Sequence, residues 1–120
     1  YSLPNLSPTH PLRRVSAAAV RDQARNIPTN IPDGPGYPHD FGNGGRLPLE
    51  NNRPPLIEYP AMPDGHGSWH HHQGRLPGPA KIIVNRYDHS SPEVIYHDPT
   101  RPVEEGSRYR PFSKANYRGR

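Results

Sequence analysis

Four residues, Glu58, Lys81, His97 and His39, carry side chains suited to moving protons and stabilising negative charge, and the first three lie in the few segments able to form sheet. Glu58 interrupts an apolar run between Ile57 and Tyr59, Lys81 opens the most hydrophobic segment of the chain, and His97 closes a third apolar segment. Tyr37 and His39 flank Pro38 further upstream. A carboxylate, an ammonium and two imidazoles projecting from neighbouring strands would form one polar face on a sheet, equipped for acid–base chemistry at an anion. Each residue also has a plainer reading. An isolated Glu in a strand commonly occupies the solvent-facing position of a period-2 pattern, and a His at a strand end is often incidental. Their joint occurrence shifts the balance only modestly.

The elements that must position them are legible from pattern and punctuation. Leu56-Ile57-Glu58-Tyr59, residues 81–87 and Glu93-Val94-Ile95-Tyr96-His97 are β-branched and aromatic runs, which predicts three strands. Residues 88–92 between the last two have a length that suits a hairpin loop. Ser16 stands as an N-cap before Ala17–Arg25, the only stretch of good helix formers, and Pro28 stops it. Val20, Ala24 and Ile27 fall at i, i+4 and i+7, a narrow apolar stripe to lay on a sheet. The expected fold class is therefore α+β, one short N-terminal helix packed on a small antiparallel sheet with long Gly/Pro-rich loops. Residues 1–15 are expected as a flexible N-terminal segment, 16–112 as the domain and 113–120 as a basic C-terminal tail. The dibasic pair Arg13-Arg14 is a candidate processing site.

Composition narrows the class. The 18 Pro and 11 Gly among 120 residues approach the level of low-complexity chains, and 20 residues of Leu, Ile, Val and Phe must supply most of the core. Such a chain holds one small domain at most, which excludes a large multilayer enzyme. The absence of Cys excludes a disulfide framework, a thiolate zinc site and a cysteine nucleophile. No apolar run approaches a membrane span. The net charge of +4 is unevenly placed: residues 1–100 hold nine basic and nine acidic side chains, and residues 101–120 hold six basic and two acidic. Tyr109, Phe112 and Tyr117 are interleaved with those cations, a combination suited to a polyanion, most simply nucleic acid, though equally ordinary for a solvated terminus.

The order and wording of the segments add more. Gly36-Tyr37-Pro38-His39-Asp40-Phe41-Gly42-Asn43-Gly44, then Leu56-Ile57-Glu58-Tyr59-Pro60, then Pro77-Gly78-Pro79-Ala80-Lys81-Ile82-Ile83, then Val94-Ile95-Tyr96-His97 resembles the microbial guanyl-specific ribonucleases. The nearest likeness is to their fungal, sarcin-like ribotoxin branch. The resemblance runs from about residue 16 to 97. It implies a helix on an antiparallel sheet whose concave face holds the site, with RNA as partner, no cofactor, no metal, a monomeric state and a secreted location. It also implies roles: Glu58 as general base, His97 as general acid, and Tyr37, His39 and Lys81 around the phosphate. Lys81 departs from the family's arginine, exchanging a planar fork for one mobile point charge.

The implied reaction is transesterification. Glu58 takes the proton of the ribose 2′-OH, that oxygen attacks phosphorus, and His97 protonates the departing 5′-oxygen. Substrate contacts are expected from Phe41 and Asn43 in the loop after His39, and from Tyr109 or Phe112 near the C-terminus. The aromatic and acidic side chains that the family places after Asn43 are not evident here, so base specificity is expected to be weak or lost. Lys81 and this depleted loop support a competing expectation, an RNA-binding effector with weak or no catalysis. The run from His66 to His72 suits adventitious metal binding or an RNA-facing loop that becomes cationic below about pH 6, and equally a plain polar loop. Trp69 within it is expected either to stack on a base or to cover the sheet edge.

Overall fold

The Ser16 side chain accepts a hydrogen bond from the Ala19 amide at 3.0 Å and so caps the helix α1, Ala17–Arg25. In the computed structural model, which describes residues 1–44, 46–49, 52–70 and 76–117, this helix packs on a five-stranded antiparallel sheet. The strands are β1 His39–Asp40, β2 Leu56–Pro60, β3 Ala80–Asn85, β4 Asp88–His97 and β5 Phe112–Lys114, adjacent in that order. No helix among the described residues is long and apolar enough to cross a membrane.

Alternation along the strands divides their side chains between two faces. Ile57, Tyr59, Ile82, Val84, Val94 and Tyr96 join Val20 and Ala24 of α1 in the main core. Leu56, Ile83 and Ile95 form a smaller cluster, covered by Phe41, Leu47, Leu49 and Phe112. The helix is registered to the sheet by a polar clasp: Gln23 donates to the Met62 carbonyl at 3.0 Å and accepts from the Met62 amide at 2.8 Å. A buried amide side chain is tolerated here because both of its ends are paired.

Three segments differ from the sequence expectations. Residues 1–15, expected as a flexible lead, contribute Leu3, Leu6, Leu12 and Val15 to the main core, and Ser2 exchanges backbone hydrogen bonds with Asn116. Their spacing carries no period because the segment is a succession of turns. The expected hairpin loop at 88–92 lies within β4, and the chain reverses at Arg86 and Tyr87. Asn85 accepts from the Tyr87 amide at 2.8 Å and so stabilises that tight reversal, while a register shift between Ile83 and Asn85 accommodates Pro92. The expected boundary at 112 falls on the first residue of β5, and Arg118–Arg120 of the basic tail lie outside the described residues.

Candidate active site

The sheet register brings the singled-out residues together on the face of the smaller cluster. His39 pairs with Glu58, and Glu58 with Ile83, so β1, β2 and β3 form one rung. Lys81, two residues before Ile83, lies opposite Ile95, and His97 lies opposite Phe112. Glu58, Lys81 and His97 thus belong to one face of three successive strands, with His39 added at the edge.

Glu58 is 6% exposed, and its Oε1 lies 2.7 Å from His39 Nε2. The other ring nitrogen of His39 donates to the Asp40 carbonyl at 3.0 Å, which turns Nε2 toward the carboxylate. Glu58 Oε2 is buried with no hydrogen-bond partner among the described residues. Burial raises the Glu58 pKa above its ordinary value, against the opposing pull of His39 and Lys81. Lys81 is 3% exposed; its Nζ donates to the Gly78 carbonyl at 2.8 Å and lies 5.5 Å from the centre of the Tyr37 ring. Burial lowers its pKa to about 8, although the Glu58 charge acts in the opposite direction.

His97 donates from Nδ1 to the Arg110 carbonyl at 2.8 Å, since a carbonyl can only accept. This bond leaves Nε2 as the nitrogen available for proton exchange. The ring stacks on Phe112 at 4.1 Å and on Tyr109 at 5.3 Å. Burial lowers the His97 pKa, the bond to Arg110 opposes that effect, and the charge of Lys81 adds to it. Tyr37 stacks on His39 at 4.6 Å and meets Trp69 edge-on at 5.5 Å. Burial, then the Glu58 charge, then Tyr109 raise the pKa of its phenol, which therefore stays a hydrogen-bond donor.

The residues expected to contact substrate border a cleft of about 430 Å³ between the loop at 41–47 and the long connection from β4 to β5. Phe41, Tyr109 and Phe112 line it together with His97. Asn43 also lines it, but both ends of its side-chain amide are engaged by the backbone of Leu47, at 2.9 and 2.8 Å. Its φ of +48° suits Asn in a left-handed turn, so this side chain shapes the loop. Trp69 is 4% exposed and edge-on to Tyr37 and Tyr59; it supports the site from within the core and is closed to a base. His71 and His72 lie outside the described residues; His66 is exposed and His70 half-buried.

Sequence reasoning did not single out Arg110, whose backbone orients His97, or Arg101 and Glu104, which line the cleft. All three lie in the β4–β5 connection, where no periodicity signals which groups turn inward. Nor was Asp98 singled out, although it is fully buried and ties both ends of that connection together. Its carboxylate accepts from the Thr100 amide at 2.9 Å, the Thr100 hydroxyl at 2.7 Å, Ser113 at 2.6 Å and Asn5 at 2.8 Å.

A buried carboxylate with one oxygen held and one unpaired, an imidazole with one nitrogen fixed, and a buried ammonium between them can remove one proton, deliver another and stabilise negative charge. A family model described as ribonuclease matches residues 4–111 of the chain. No curated protein and no solved structure matches it.

Proposed function

The chain belongs to the ribonuclease family, and from that premise we propose that it cleaves RNA by internal transesterification and leaves a 2′,3′-cyclic phosphate. The observation that carries this reading is the sheet register that sets Glu58, Lys81 and His97 on one face of three successive strands. Glu58 takes the proton from the ribose 2′-OH, and the freed oxygen forms a bond to phosphorus. As the bond from phosphorus to O5′ breaks, His97 gives its Nε2 proton to the departing oxygen. Lys81, Tyr37 and His39 stabilise the charge on the phosphorane oxygens. All proton transfers and charge stabilisation are thereby assigned to side chains, without a metal in the proposed steps.

Digestion of RNA and of a DNA of the same sequence tests the reading. RNA is expected to yield 2′,3′-cyclic phosphate ends, and DNA, lacking the nucleophile, to stay intact. Cleaved DNA or 5′-phosphate ends would overturn it. Intact ribosomes extend the test. One discrete ribosomal RNA fragment would mark a ribotoxin, and general degradation a ribonuclease without that selectivity.

The pKa shifts set a pH profile. Activity needs Glu58 ionised and His97 protonated, so the rate rises through the Glu58 pKa and falls through that of His97. Burial raises the Glu58 pKa and lowers that of His97, so the two limbs lie closer together than they would for the same groups in water. The charge of Lys81 lowers both pKa values. Lys81→Met is therefore expected to move both limbs upward in pH while reducing the maximal rate. Profiles of kcat/KM for the two proteins check this, and limbs that stay in place would show that Lys81 does not act on either group.

A further inference from the structure

We propose that the cavity beyond the C-terminal end of β5, lined by Tyr1, Arg21, Ser91, Lys114, Asn116 and Tyr117, is a second RNA-binding site. It would hold an unpaired nucleotide of the strand being cleaved, and in that respect it rests on the ribonuclease reading. Its volume is about 710 Å³, and none of its lining residues lines the cleft beside His97. That volume lies within the ~300–1,000 Å³ typical of small-ligand sites.

Charge selects the ligand class. Arg21 projects from the exposed side of α1 and makes no hydrogen bond or ion pair among the described residues. Lys114 donates to the Pro48 carbonyl at 2.8 Å and lies 3.7 Å from Glu93 Oε1. The carboxylate bordering the cavity, Glu93, is buried and also accepts from Asn52 at 2.9 Å. Lys114 balances that carboxylate, and the charge of Arg21 is left for an anion. Aromatic surface selects within the class. The rings of Tyr1 and Tyr117 lie 5.0 Å apart, Tyr1 is fixed by its hydroxyl bond to the Pro92 carbonyl at 2.8 Å, and Tyr117 is 53% exposed. An aromatic pair with one ring held and the other exposed, beside an unpaired guanidinium, suits a base and its phosphate, the combination used by single-strand binding surfaces.

Strand β5 sets the distance from the cleft to the cavity. Phe112 stacks on His97, and the chain runs from there through Lys114 to Asn116. At ~3.3 Å per residue this path is roughly 13 Å, which about four stacked nucleotides would span. A short substrate would fill the cleft alone, and a longer one would reach the cavity.

The test combines Arg21→Glu with Tyr117→Ala, both exposed positions outside the cleavage face. Binding is read by fluorescence anisotropy with 2′-O-methyl RNA, which lacks the nucleophile, at lengths of about two and about eight nucleotides. Turnover is read on a dinucleotide. The double variant is expected to lose about tenfold or more in affinity for the longer strand, with a shallower salt dependence, while dinucleotide kcat/KM is unchanged. Unchanged affinity for the longer strand overturns the proposal, as does an equal loss on the dinucleotide. Displacement of the longer strand by an acidic peptide of equal charge, at equal concentration, also overturns it and points to a protein partner. If the native protein binds the longer strand through these residues but cleaves no RNA, the second site stands and the catalytic reading falls.

Discussion

Replacing His97 with Ala, or Glu58 with Gln, is expected to lower RNA cleavage by about 10²–10⁴-fold in each case, the usual worth of a positioned acid or base. Glu58→Gln preserves the size of the side chain in its buried slot on β2 but removes its capacity to take a proton. His97→Ala removes the donor and also the stacking partner of Phe112 and Tyr109. Thermal unfolding must therefore accompany the kinetics, so that a loss of rate is not confused with a loss of structure. The two groups act in the same step, so the double variant is expected to lose much less than the product of the single losses. Rates on a dinucleotide close to native in both single variants would remove both residues from the mechanism.

Asp98→Ala is expected to cost about 3–5 kcal/mol of stability and to lower the unfolding midpoint by roughly 10 °C or more. The side chain is 1% exposed, and its removal takes from Asn5, Thr100 and Ser113 the one charged acceptor that holds them together. Burial pushes the Asp98 pKa up, but the hydrogen bonds from Ser113, Thr100 and Asn5 outweigh it and hold the carboxyl well below the usual carboxylate range. A group depressed on folding contributes fully above its unfolded pKa of about 3.9, and that contribution is lost as pH falls through the folded value. Native protein should thus lose stability below about pH 4, and the variant should lack that component of the loss. Chemical denaturation across pH checks both statements; equal stabilities at pH 7 would refute them. The connection from β4 to β5 starts at Asp98, so the variant should also loosen the cleft wall that carries Arg110 and Tyr109.

Local pattern accounts for what was legible in the sequence. Helix α1 shows in its cap and its apolar stripe, and β2 to β4 show because β-branched residues are concentrated there. Glu58, Lys81 and His97 stand out as polar interruptions in those runs, so the middle of the site can be found without coordinates. Their convergence depends on strand order and register, which no single strand encodes. β1 and β5 are too short to leave a pattern, two and three residues respectively. The packing of Leu3, Leu6, Leu12 and Val15 was hidden for a related reason: turns bury residues at irregular intervals. Asp98 follows His97 directly and looks like an ordinary loop aspartate, since nothing local shows that Asn5 and Ser113 will meet it.

The rung joining His39, Glu58 and Ile83 bears on how such a sequence can change over descent. One strand contributes the carboxylate, the next the ammonium, the next the second imidazole. A single inserted or deleted residue in β2 would turn Glu58 toward the helix and Ile57 toward the substrate, exchanging apolar and polar faces together. Point substitutions on this face remove one group at a time, whereas a change of length removes a whole strand's contribution. Differences in length are therefore tolerated only in the connections, and the stretch from Asp98 to Pro111 is one of the two that wall the cleft. Such a lineage can remodel its choice of substrate by lengthening or shortening that stretch and leave the proton-transfer groups where they are.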